Sequence, residues 1–333
     1  MKLKPVAEQV VVVVGASSGI GRRTAMRFAE RGARLVVAAR DEEGLTSLVD
    51  DIQRIGRQAE AVVADVTRPE DMTALAERAV EKFGRIDTWA HLAGVSLYAE
   101  LEATRPEEFR QVVEVNLLGV AHGAMAAIPR LREQGGAFIA VSSVEGLVSL
   151  PLQAAYAASK HGVVGFLNAL RAELKSHHLP VSVTNVMPST IDTPLFDHAR
   201  TRLGVEPKGV PPAYPVEDAA AAILHAAEHP VRDITVGGAG RVLTMSQFIS
   251  PAFTEWALAK WAIRGQRTER VKGDDAPNNL FEAAQDHLTA SGHQEERRRS
   301  ALTWAQTAPA LEQAIAAGLV VLLAGVVRRA FST

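Results

Sequence analysis

Short, almost continuously apolar runs alternate with longer amphipathic stretches between residue 10 and about residue 240. Runs rich in Val, Ile, Leu and Ala are typical of strands covered on both faces, as in a parallel sheet. They predict strands at residues 10–14, 35–39, 61–64, 89–92, 137–141, 181–186 and 234–236. The stretches between them have a helical period and a polar face, and they predict helices that include residues 21–31, 42–55, 70–83 and 109–132. Strict alternation of strand and helix predicts an α/β fold with a doubly wound parallel sheet.

The character of the chain changes beyond residue 240, which predicts one domain at residues 1–240 and a mostly helical C-terminal extension at residues 241–333. An apolar stretch with Trp256 and Trp261 predicts a helix at residues 248–263. The polar, highly charged residues 264–300 predict a loop or linker, and the apolar run 314–327 predicts a last helix at about residues 310–327. That run is shorter than the roughly 20 residues that a membrane-spanning helix needs. We therefore expect it to pack on protein, with peripheral membrane contact through residues 310–329 as the alternative.

Composition removes several classes of function. The absence of cysteine excludes disulfide scaffolds, thiolate nucleophiles and cysteine metal sites. A net charge of −2, without a block of like charge, gives no footprint for nucleic acid. His225 and His229 have the spacing of metal ligands on a helix, but no acid or third histidine lies near enough in sequence to complete a site, so we expect no metal. The first apolar run is too short for a secretory signal, and we expect a cytoplasmic protein.

A glycine-rich turn follows the first predicted strand, with the spacing Gly-x-x-x-Gly-x-Gly. Glycines let the backbone turn tightly and approach a pyrophosphate, and the start of the following helix attracts the anion. A plain strand-to-helix turn would explain the glycines alone, but the position after the first strand favours a dinucleotide. The predicted binding residues are Gly15, Ser17, Ser18, Gly19, Ile20 and Gly21.

The end of the second strand bears on the choice between NAD and NADP. NAD-binding proteins usually place a carboxylate there for the ribose 2′-hydroxyl, whereas an arginine accommodates a 2′-phosphate. Ala39 removes the acid from that position, and Arg40 supplies a planar cation suited to phosphate. Asp41 is the counter-signal, although it is placed to begin the next helix. The sequence therefore predicts NADP(H) over NAD(H).

Four polar residues form a candidate catalytic set. Tyr156 and Lys160 are spaced i, i+4 at the start of a long helical pattern, so the phenol and the ammonium lie on one face, one turn apart. A nearby lysine favours the phenolate, which would make the phenol more acidic than usual. Ser143 follows a predicted strand and lies at its carboxyl end. Asn116 interrupts an apolar helix, which favours a buried, hydrogen-bonded amide.

These motifs together resemble the short-chain dehydrogenase/reductase family, which has a Rossmann-type sheet, over about residues 8–240. Several independent motifs match in order and spacing. A single motif would be weak evidence for the family. The pieces are Gly15-x-x-x-Gly19-Ile20-Gly21, Asp65-Val66, Ala93-Gly94, Asn116, Ser143, Tyr156-x-x-x-Lys160, and Pro188 with Thr193.

The resemblance implies a role for each matching residue. Tyr156 would be the acid/base, and Ser143 would hydrogen-bond the reacting oxygen. Lys160 would lower the pKa of the tyrosine and hold the nicotinamide ribose, while Asn116 would anchor a proton-relay water. The other implied cofactor contacts are Asp65 and Val66 at the adenine, Ala93 and Gly94 at the ribose, and Ile191 and Thr193 at the nicotinamide. One departure is His91, where the family commonly has asparagine, and we expect altered packing or cofactor affinity there, without loss of the chemistry.

The sequence thus predicts an NADP(H)-dependent oxidoreductase that interconverts an alcohol and a ketone or aldehyde. Residues 188–215 are partly apolar and predict a lid over an uncharged, largely apolar small molecule. The resemblance also implies a homo-oligomer formed through the helices that carry Asn116 and Tyr156. A non-catalytic NADP(H)-binding regulator or scaffold is the alternative, and an epimerase or dehydratase with the same cofactor is a third interpretation.

Overall fold

A computed structural model describes residues 1–284, 288–290 and 300–307 of the chain. Seven strands form one parallel sheet in the order β10-β7-β6-β4-β1-β2-β3, and two small pairs, β5 with β8 and β9 with β11, lie outside it. The strands are β1 Val10–Val14, β2 Arg34–Ala39, β3 Ala59–Val63, β4 Thr88–His91, β5 Leu97–Tyr98, β6 Gly136–Val141, β7 Val181–Pro188, β8 Arg200–Thr201, β9 Val205–Pro207, β10 Asp233–Val236 and β11 Arg267–Val271.

Helices cover both faces of this sheet, as the alternation in the sequence predicts. The helices are α1 Gly19–Glu30, α2 Glu42–Arg54, α3 Pro69–Phe83, α4 Pro106–Val113, α5 Gly119–Gln134, α6 Ala154–Ser176, α7 Leu195–His198, α8 Val216–Glu228, α9 Gly238–Ile249, α10 Pro251–Gly265 and α11 Ala301–Thr307. A π turn, Glu114–Leu118, joins α4 to α5.

Strand β1 lies inside the sheet and contributes to two cores. All five of its valines are buried, and successive side chains point to opposite faces. Val11 and Val13 pack in the core beneath α1, α2 and α8. Val12 and Val14 pack in the core beneath α3, α5 and α6. A continuous apolar run is needed here because neither face of the strand reaches water, and the predicted doubly wound sheet is confirmed.

The order of the strands determines where a ligand can bind. The chain proceeds from β1 to β2 and β3 on one side, and then returns to β4 on the other side of β1. This reversal opens a crevice beyond the carboxyl ends of β1 and β4, where doubly wound sheets bind ligands. The glycine-rich turn follows β1 and Ser143 follows β6 at this edge.

Three local predictions are wrong. The helix predicted at residues 109–132 is interrupted by the π turn, a feature often found at functional sites. The helix predicted at residues 248–263 is two helices, because Ser250 has an extended backbone and Pro251 begins α10. The predicted linker 264–300 contains β11, which pairs antiparallel with β9.

The division between a domain and an extension stays a prediction. Helix α9 begins at Gly238 and runs across the predicted boundary at residue 240. The helix predicted at about residues 310–327 lies outside the described residues.

Within the described part of the chain, the segment from Pro106 to Gln134 is long and apolar enough to cross a membrane. Nearly half of its most apolar window is buried inside the protein. Val112, Ala127 and Leu131 from this segment belong to the core of the sheet. Packing within the domain therefore explains its composition.

Candidate active site

The turn between β1 and α1 is shaped by its glycines. Gly15 and Gly19 have φ angles of 83° and 52°, a region that side chains rarely adopt. A Cβ atom on Gly15 would lie 2.6 Å from the amide nitrogen of Ala93, and one on Gly21 would lie 1.8 Å from the carbonyl oxygen of Gly15. The backbone at Gly15 and Gly21 is therefore packed too closely for any side chain, and the turn leads directly into the start of helix α1. This arrangement suits a pyrophosphate.

A cavity extends from this turn along the ends of β1, β2 and β4, and most of the predicted cofactor residues line it. The predicted residues in its wall are Gly15, Ser17, Ser18, Gly19, Ile20, Gly21, Arg40, Asp65, Val66, Ala93, Gly94 and Thr193. We call it the cofactor cavity. Its turn, its length along the strand ends and its mixture of backbone and side-chain groups fit a dinucleotide.

The C-terminal part of the chain also lines this cavity, which the sequence did not predict. Asn279, Ala283 and Ala284 contribute to its wall, and Leu280 is fully buried in the core of the sheet. The carbonyl of Leu288 accepts a hydrogen bond of 2.9 Å from the amide of Gly19. One amide of the predicted phosphate-binding turn is therefore already paired within the chain.

Arg40 lies where the sequence predicts it, but its guanidinium is largely engaged. It donates to the carbonyl oxygens of Phe281, Asn279 and Glu282 at 2.9, 2.8 and 3.0 Å. Burial lowers its pKa, and the charge of Asp65 opposes this effect. These bonds use three of the five N–H groups of a guanidinium, which leaves two for another acceptor. Arg40 thus holds the C-terminal segment in place at the rim of the cavity.

Asp41 acts as a helix cap, as its position predicts. Its side chain accepts a hydrogen bond from the amide of Gly44 at 3.1 Å at the start of α2.

A second cavity opens beside the first, and the predicted catalytic residues meet there. Ser143, Tyr156 and Lys160 line it, together with Ile191 and Thr193. We call it the substrate cavity. The residues that belong to both cavities, and so join them, are Ile20, Leu92, Gly94, Thr193 and Leu195. A dinucleotide in the first cavity can therefore reach into the second.

Two side chains of the predicted catalytic set, those of Lys160 and Ser143, donate to backbone carbonyls of β6 and β7. The ammonium of Lys160 donates to the carbonyl of Val141 at 3.1 Å and lies 5.5 Å from the centroid of the Tyr156 ring. The hydroxyl of Ser143 accepts from the amide of Glu145 at 3.1 Å and donates to the carbonyl of Pro188 at 3.4 Å. A further hydrogen bond joins Ser143 to Tyr156. This arrangement allows Tyr156 to transfer a proton to a substrate oxygen that is bound between Ser143 and Tyr156.

The predicted acidification of the phenol by Lys160 is wrong for this structure. Burial raises the pKa of Tyr156, the charge of Glu145 raises it further, and the hydrogen bond with Ser143 lowers it. Lys160 is itself buried, and desolvation lowers its pKa to about 8. The physical reason is that burial disfavours both the phenolate of Tyr156 and the ammonium of Lys160. At this separation the attraction between the two charges does not offset the loss of solvation.

Asn116 is buried and hydrogen-bonded, as its apolar neighbours predict. It is fully inaccessible and lies in the π turn. Its carbonyl oxygen accepts from the amide of Val95 at 2.8 Å, and its amide donates to the carbonyl of Val95 and to the hydroxyl of Ser159, both at 3.0 Å. It lines neither cavity, but a Cβ on Gly94 would lie 3.4 Å from its oxygen. Asn116 therefore fixes the backbone that joins the two cavities.

Glu145 is an acidic residue in the substrate cavity that sequence reasoning missed. It is buried, and burial raises its pKa to about 8, against smaller lowering effects of hydrogen bonds and of Lys160. Its position two residues after Ser143 was the available signal. Its burial could not be predicted, because residues distant in sequence enclose it.

His91 is fully buried beside helix α5, and burial lowers its pKa to about 3. A Cβ on Gly123 would lie 2.5 Å from its Nδ1 atom. The glycine therefore provides the space for an imidazole where the family commonly has an amide. The expectation of altered packing or cofactor affinity at this position stays a prediction. Burial keeps the ring neutral at physiological pH.

The predicted lid contributes only part of its apolar residues to the substrate cavity. Leu195, Phe196 and Val210 line it. Leu203 packs beneath it in a small cluster with Phe196, and Tyr214 packs in the core, where its hydroxyl accepts from the amide of Ala239 at 2.9 Å. Helices α9 and α10 add Leu243 and Leu258, so the wall is mainly apolar.

Potential metal ligands do not cluster in the part of the chain that the structure describes, where no group of three or more His, Asp or Glu residues is placed to hold an ion. His225 and His229 stack on each other, with their ring centroids 4.3 Å apart.

Comparison with known proteins agrees with this architecture. The family model described as short chain dehydrogenase matches residues 9–204, more than half of the chain. The uncharacterized oxidoreductase YxnA of Bacillus subtilis is 37% identical over 326 residues, which cover 96% of this chain and 91% of that protein. The (−)-trans-carveol dehydrogenase of Rhodococcus erythropolis is 33% identical over 210 residues, 58% of this chain and 74% of that enzyme.

A solved structure extends the likeness to three dimensions. The alcohol dehydrogenase of the archaeon Thermococcus sibiricus, complexed with 5-hydroxy-NADP, superposes with a TM-score of 0.61 at 25% sequence identity. The match covers 68% of this chain and 94% of that one. The fold, the joined cavities and the family match agree with an enzyme that acts on CH–OH groups with a nicotinamide dinucleotide. The chain belongs to the short-chain dehydrogenase/reductase family.

Proposed function

We propose that this protein interconverts an alcohol and a ketone or aldehyde with NADP(H), and that Tyr156 is its acid/base. The observation that carries the proposal is the meeting of Ser143, Tyr156 and Lys160 in one cavity that continues into the glycine-lined cofactor cavity. A non-catalytic nucleotide-binding scaffold would not need these three side chains around a mainly apolar space. An epimerase or dehydratase would use the same set without net consumption of cofactor.

The chain's own groups define the proton chemistry of this proposal. The nicotinamide supplies or accepts the hydride when the dinucleotide is bound. In reduction, the hydroxyl of Tyr156 donates its proton to the oxygen of the substrate, and Ser143 hydrogen-bonds that oxygen as charge develops on it. Because burial raises the pKa of Tyr156, its hydroxyl is protonated at neutral pH. This state suits reduction of a carbonyl.

Lys160 and Asn116 hold backbone segments next to the two cavities. Lys160 holds the end of β6 through Val141 and lies beneath the shared wall at Gly94, where a Cβ would be 3.6 Å from its ammonium. It is placed to bind the ribose next to the nicotinamide. Asn116 holds Val95 and thereby the turn between β4 and β5. Asp65, Val66, Ala93, Gly94, Ile191 and Thr193 complete the proposed cofactor contacts.

The preference for NADP(H) rests on the rim at the end of β2. Ala39 offers no carboxylate for a ribose 2′-hydroxyl, and Asp41 caps α2. Arg40 keeps two N–H groups for a phosphate oxygen after its bonds to the C-terminal segment. A 2′-phosphate would therefore find a cation there and a 2′-hydroxyl would find no acceptor from β2.

The apolar wall of the substrate cavity supports an uncharged, largely apolar small molecule. The carveol dehydrogenase among the relatives is named for a cyclic apolar alcohol, which agrees with this class. A homo-oligomer through the helices that carry Asn116 and Tyr156 stays part of the proposal. Cytoplasmic location and peripheral membrane contact through residues 310–329 stay predictions.

The test is a screen for NADPH consumption over a panel of ketones and aldehydes, with Tyr156→Phe as the control variant. We expect reduction of apolar carbonyl compounds that the variant does not support. Tight NADPH binding without turnover of any compound would favour the scaffold. Conversion of a substrate without net NADPH loss would favour the epimerase or dehydratase.

A further inference from the structure

A short turn after β6 brings Glu145 into the substrate cavity. The residue lies in the single 3₁₀ turn Val144–Gly146, and its amide donates to the hydroxyl of Ser143 at 3.1 Å. A Cβ on Gly146 would lie 2.7 Å from a methyl group of Val164, so the turn is pressed against α6. The same packing that orients Ser143 therefore fixes the position of this carboxyl group.

One oxygen of that carboxyl group lacks a partner. Glu145 is only 6% exposed, and its Oε2 atom has no hydrogen-bond partner among the described residues. The amide of Leu150 and the side chain of Gln153 lie near the carboxyl group and lower its pKa, by less than burial raises it. Gln153 is held in turn by Gln266 at 2.7 Å.

The surroundings of Glu145 favour its neutral form. The titratable groups that interact with it are Tyr98 on β5 and Tyr156 and Lys160 on α6. Helices α9 and α10 contribute Leu243 and Leu258 to the same cavity, and neither is titratable. Burial raises the pKa of Glu145 to about 8, so at pH 7 most molecules carry a carboxylic acid there. A proton on Oε2 has no acceptor among the described residues.

A buried O–H without an acceptor is unfavourable, and an apolar ligand would leave it so. We propose that Glu145 recognises a second oxygen on the substrate, by donating its carboxyl O–H to a neutral hydroxyl or carbonyl oxygen near the carbon that reacts beside Tyr156. This inference rests on the proposed function of the same site. It narrows the substrate class from apolar alcohols and ketones to those with a second neutral oxygen, such as α-hydroxy ketones.

The test uses the full chain with NADPH and two probes, cyclohexanone and 2-hydroxycyclohexanone, which differ by one oxygen next to the carbonyl. We expect the wild type to prefer the hydroxy ketone by about tenfold or more in kcat/KM, mainly through KM. Glu145→Leu removes the donor and reduces this preference to within about twofold. Glu145→Gln keeps an N–H donor of nearly the same shape and retains most of it. A variant Glu145→Leu that keeps the full preference overturns the proposal.

The pH dependence gives a second readout that packing alone would not produce. As pH rises through about 8, Glu145 loses its proton and can no longer donate. A third probe, 2-methoxycyclohexanone, carries an ether oxygen that can only accept, so the preference of the wild type for it over cyclohexanone should fall above that pH, while the preference of Glu145→Gln stays constant. Parallel profiles for the two proteins contradict the inference, even if Glu145→Leu does not fold.

A third measurement does not depend on turnover. The infrared difference spectrum of wild type against Glu145→Gln isolates the carbonyl band of the Glu145 carboxylic acid at pH 7. Adding 2-hydroxycyclohexanone should shift this band, and cyclohexanone should not. An absent or unresponsive band overturns the inference. If instead the band responds but no carbonyl compound in the panel is reduced, the proposed function fails and the binding role of Glu145 stands.

Discussion

The two cavities at the carboxyl edge of the sheet share a wall but are built in different ways. The cofactor cavity is formed largely by backbone, at a turn where Gly15 and Gly21 leave no room for a side chain. The substrate cavity is formed by side chains from β5, the turn after β6, α6, the predicted lid and helices α9 and α10. It also encloses Glu145, Tyr156 and Lys160, whose pKa values are all shifted by burial.

This difference separates a site defined by local conformation from one defined by tertiary enclosure. A glycine turn after a strand has one geometry wherever it occurs, so its ligand class can be inferred from a short motif. A titratable group in a cavity has properties that depend on every element around it. Substitutions in the first cavity should therefore change cofactor affinity, and substitutions in the second should change proton chemistry and substrate choice.

Gly21→Ala should have the largest effect on the cofactor cavity. The new methyl group would lie 1.8 Å from the carbonyl oxygen of Gly15, so the turn must move. Overpacking of this kind costs about 1–3 kcal/mol, and we expect a loss of NADPH affinity of about 100-fold. Fluorescence titration with NADPH measures it.

The matched control for this variant is Gly165→Ala. Gly165 lies in α6 with no atom within 4 Å of its added Cβ, and alanine favours a helix by about 1 kcal/mol over glycine. The control should keep its NADPH affinity and unfold at a higher temperature. Equal affinities for Gly21→Ala and wild type would show that the turn does not hold the cofactor.

The sequence predicts features that depend on local conformation better than features that depend on tertiary enclosure. Strand β1 begins and ends where predicted, because a run of five valines is bounded by Gly15. The burial of Asn116 was predicted from its apolar neighbours, but the π turn was not, because a one-residue change in helical hydrogen bonding leaves no periodic trace. Local sequence patterns therefore predicted where these residues lie. They did not predict the pKa values of their side chains.

The misassigned C-terminal elements have physical reasons of the same kind. Strand β11 is almost entirely exposed, and its residues Arg267–Val271 are mostly charged, so no apolar alternation marks it. Only its pairing with β9, more than 60 residues earlier, makes it a strand. The break before α10 was readable, because Pro251 cannot continue a helix without disrupting it. The contact of Arg40 with residues 279–282 joins segments nearly 240 residues apart, and no local signal reports it.

Arg40→Ser tests whether the rim of the cofactor cavity discriminates between cofactors. Loss of the guanidinium removes a charge-assisted bond to a 2′-phosphate, and we expect the Kd for NADPH to rise about tenfold. The Kd for NADH, which has no such phosphate, should change less than about twofold. Paired titrations with both cofactors measure the ratio.

The control for this variant is Arg54→Ser, which removes an exposed arginine at the end of α2 that pairs with Asp51. It should leave both affinities unchanged. A parallel loss of NADPH and NADH affinity in Arg40→Ser would mean that the arginine acts only by holding residues 279–282 in place. The preference for NADP(H) would then need another source.

Glu145→Gln should have the smallest effect on ligand binding, and it should change the pH dependence of stability. The pKa of Glu145 is raised in the folded protein to about 8 from an ordinary value of 4.5, so the folded state holds its proton over a range in which the unfolded state has lost it. The stability that this proton contributes is complete below pH 4.5 and is lost as pH rises to about 8. Because glutamine does not titrate, the variant should gain on the wild type across this window, by roughly 1.4 kcal/mol for each unit by which the two pKa values differ. Urea unfolding of both proteins at pH 4.5, 6.5 and 8 measures the difference. A constant difference across these three pH values would mean that Glu145 is ionised in the folded protein, and the substrate cavity would then hold a charge rather than a neutral acid.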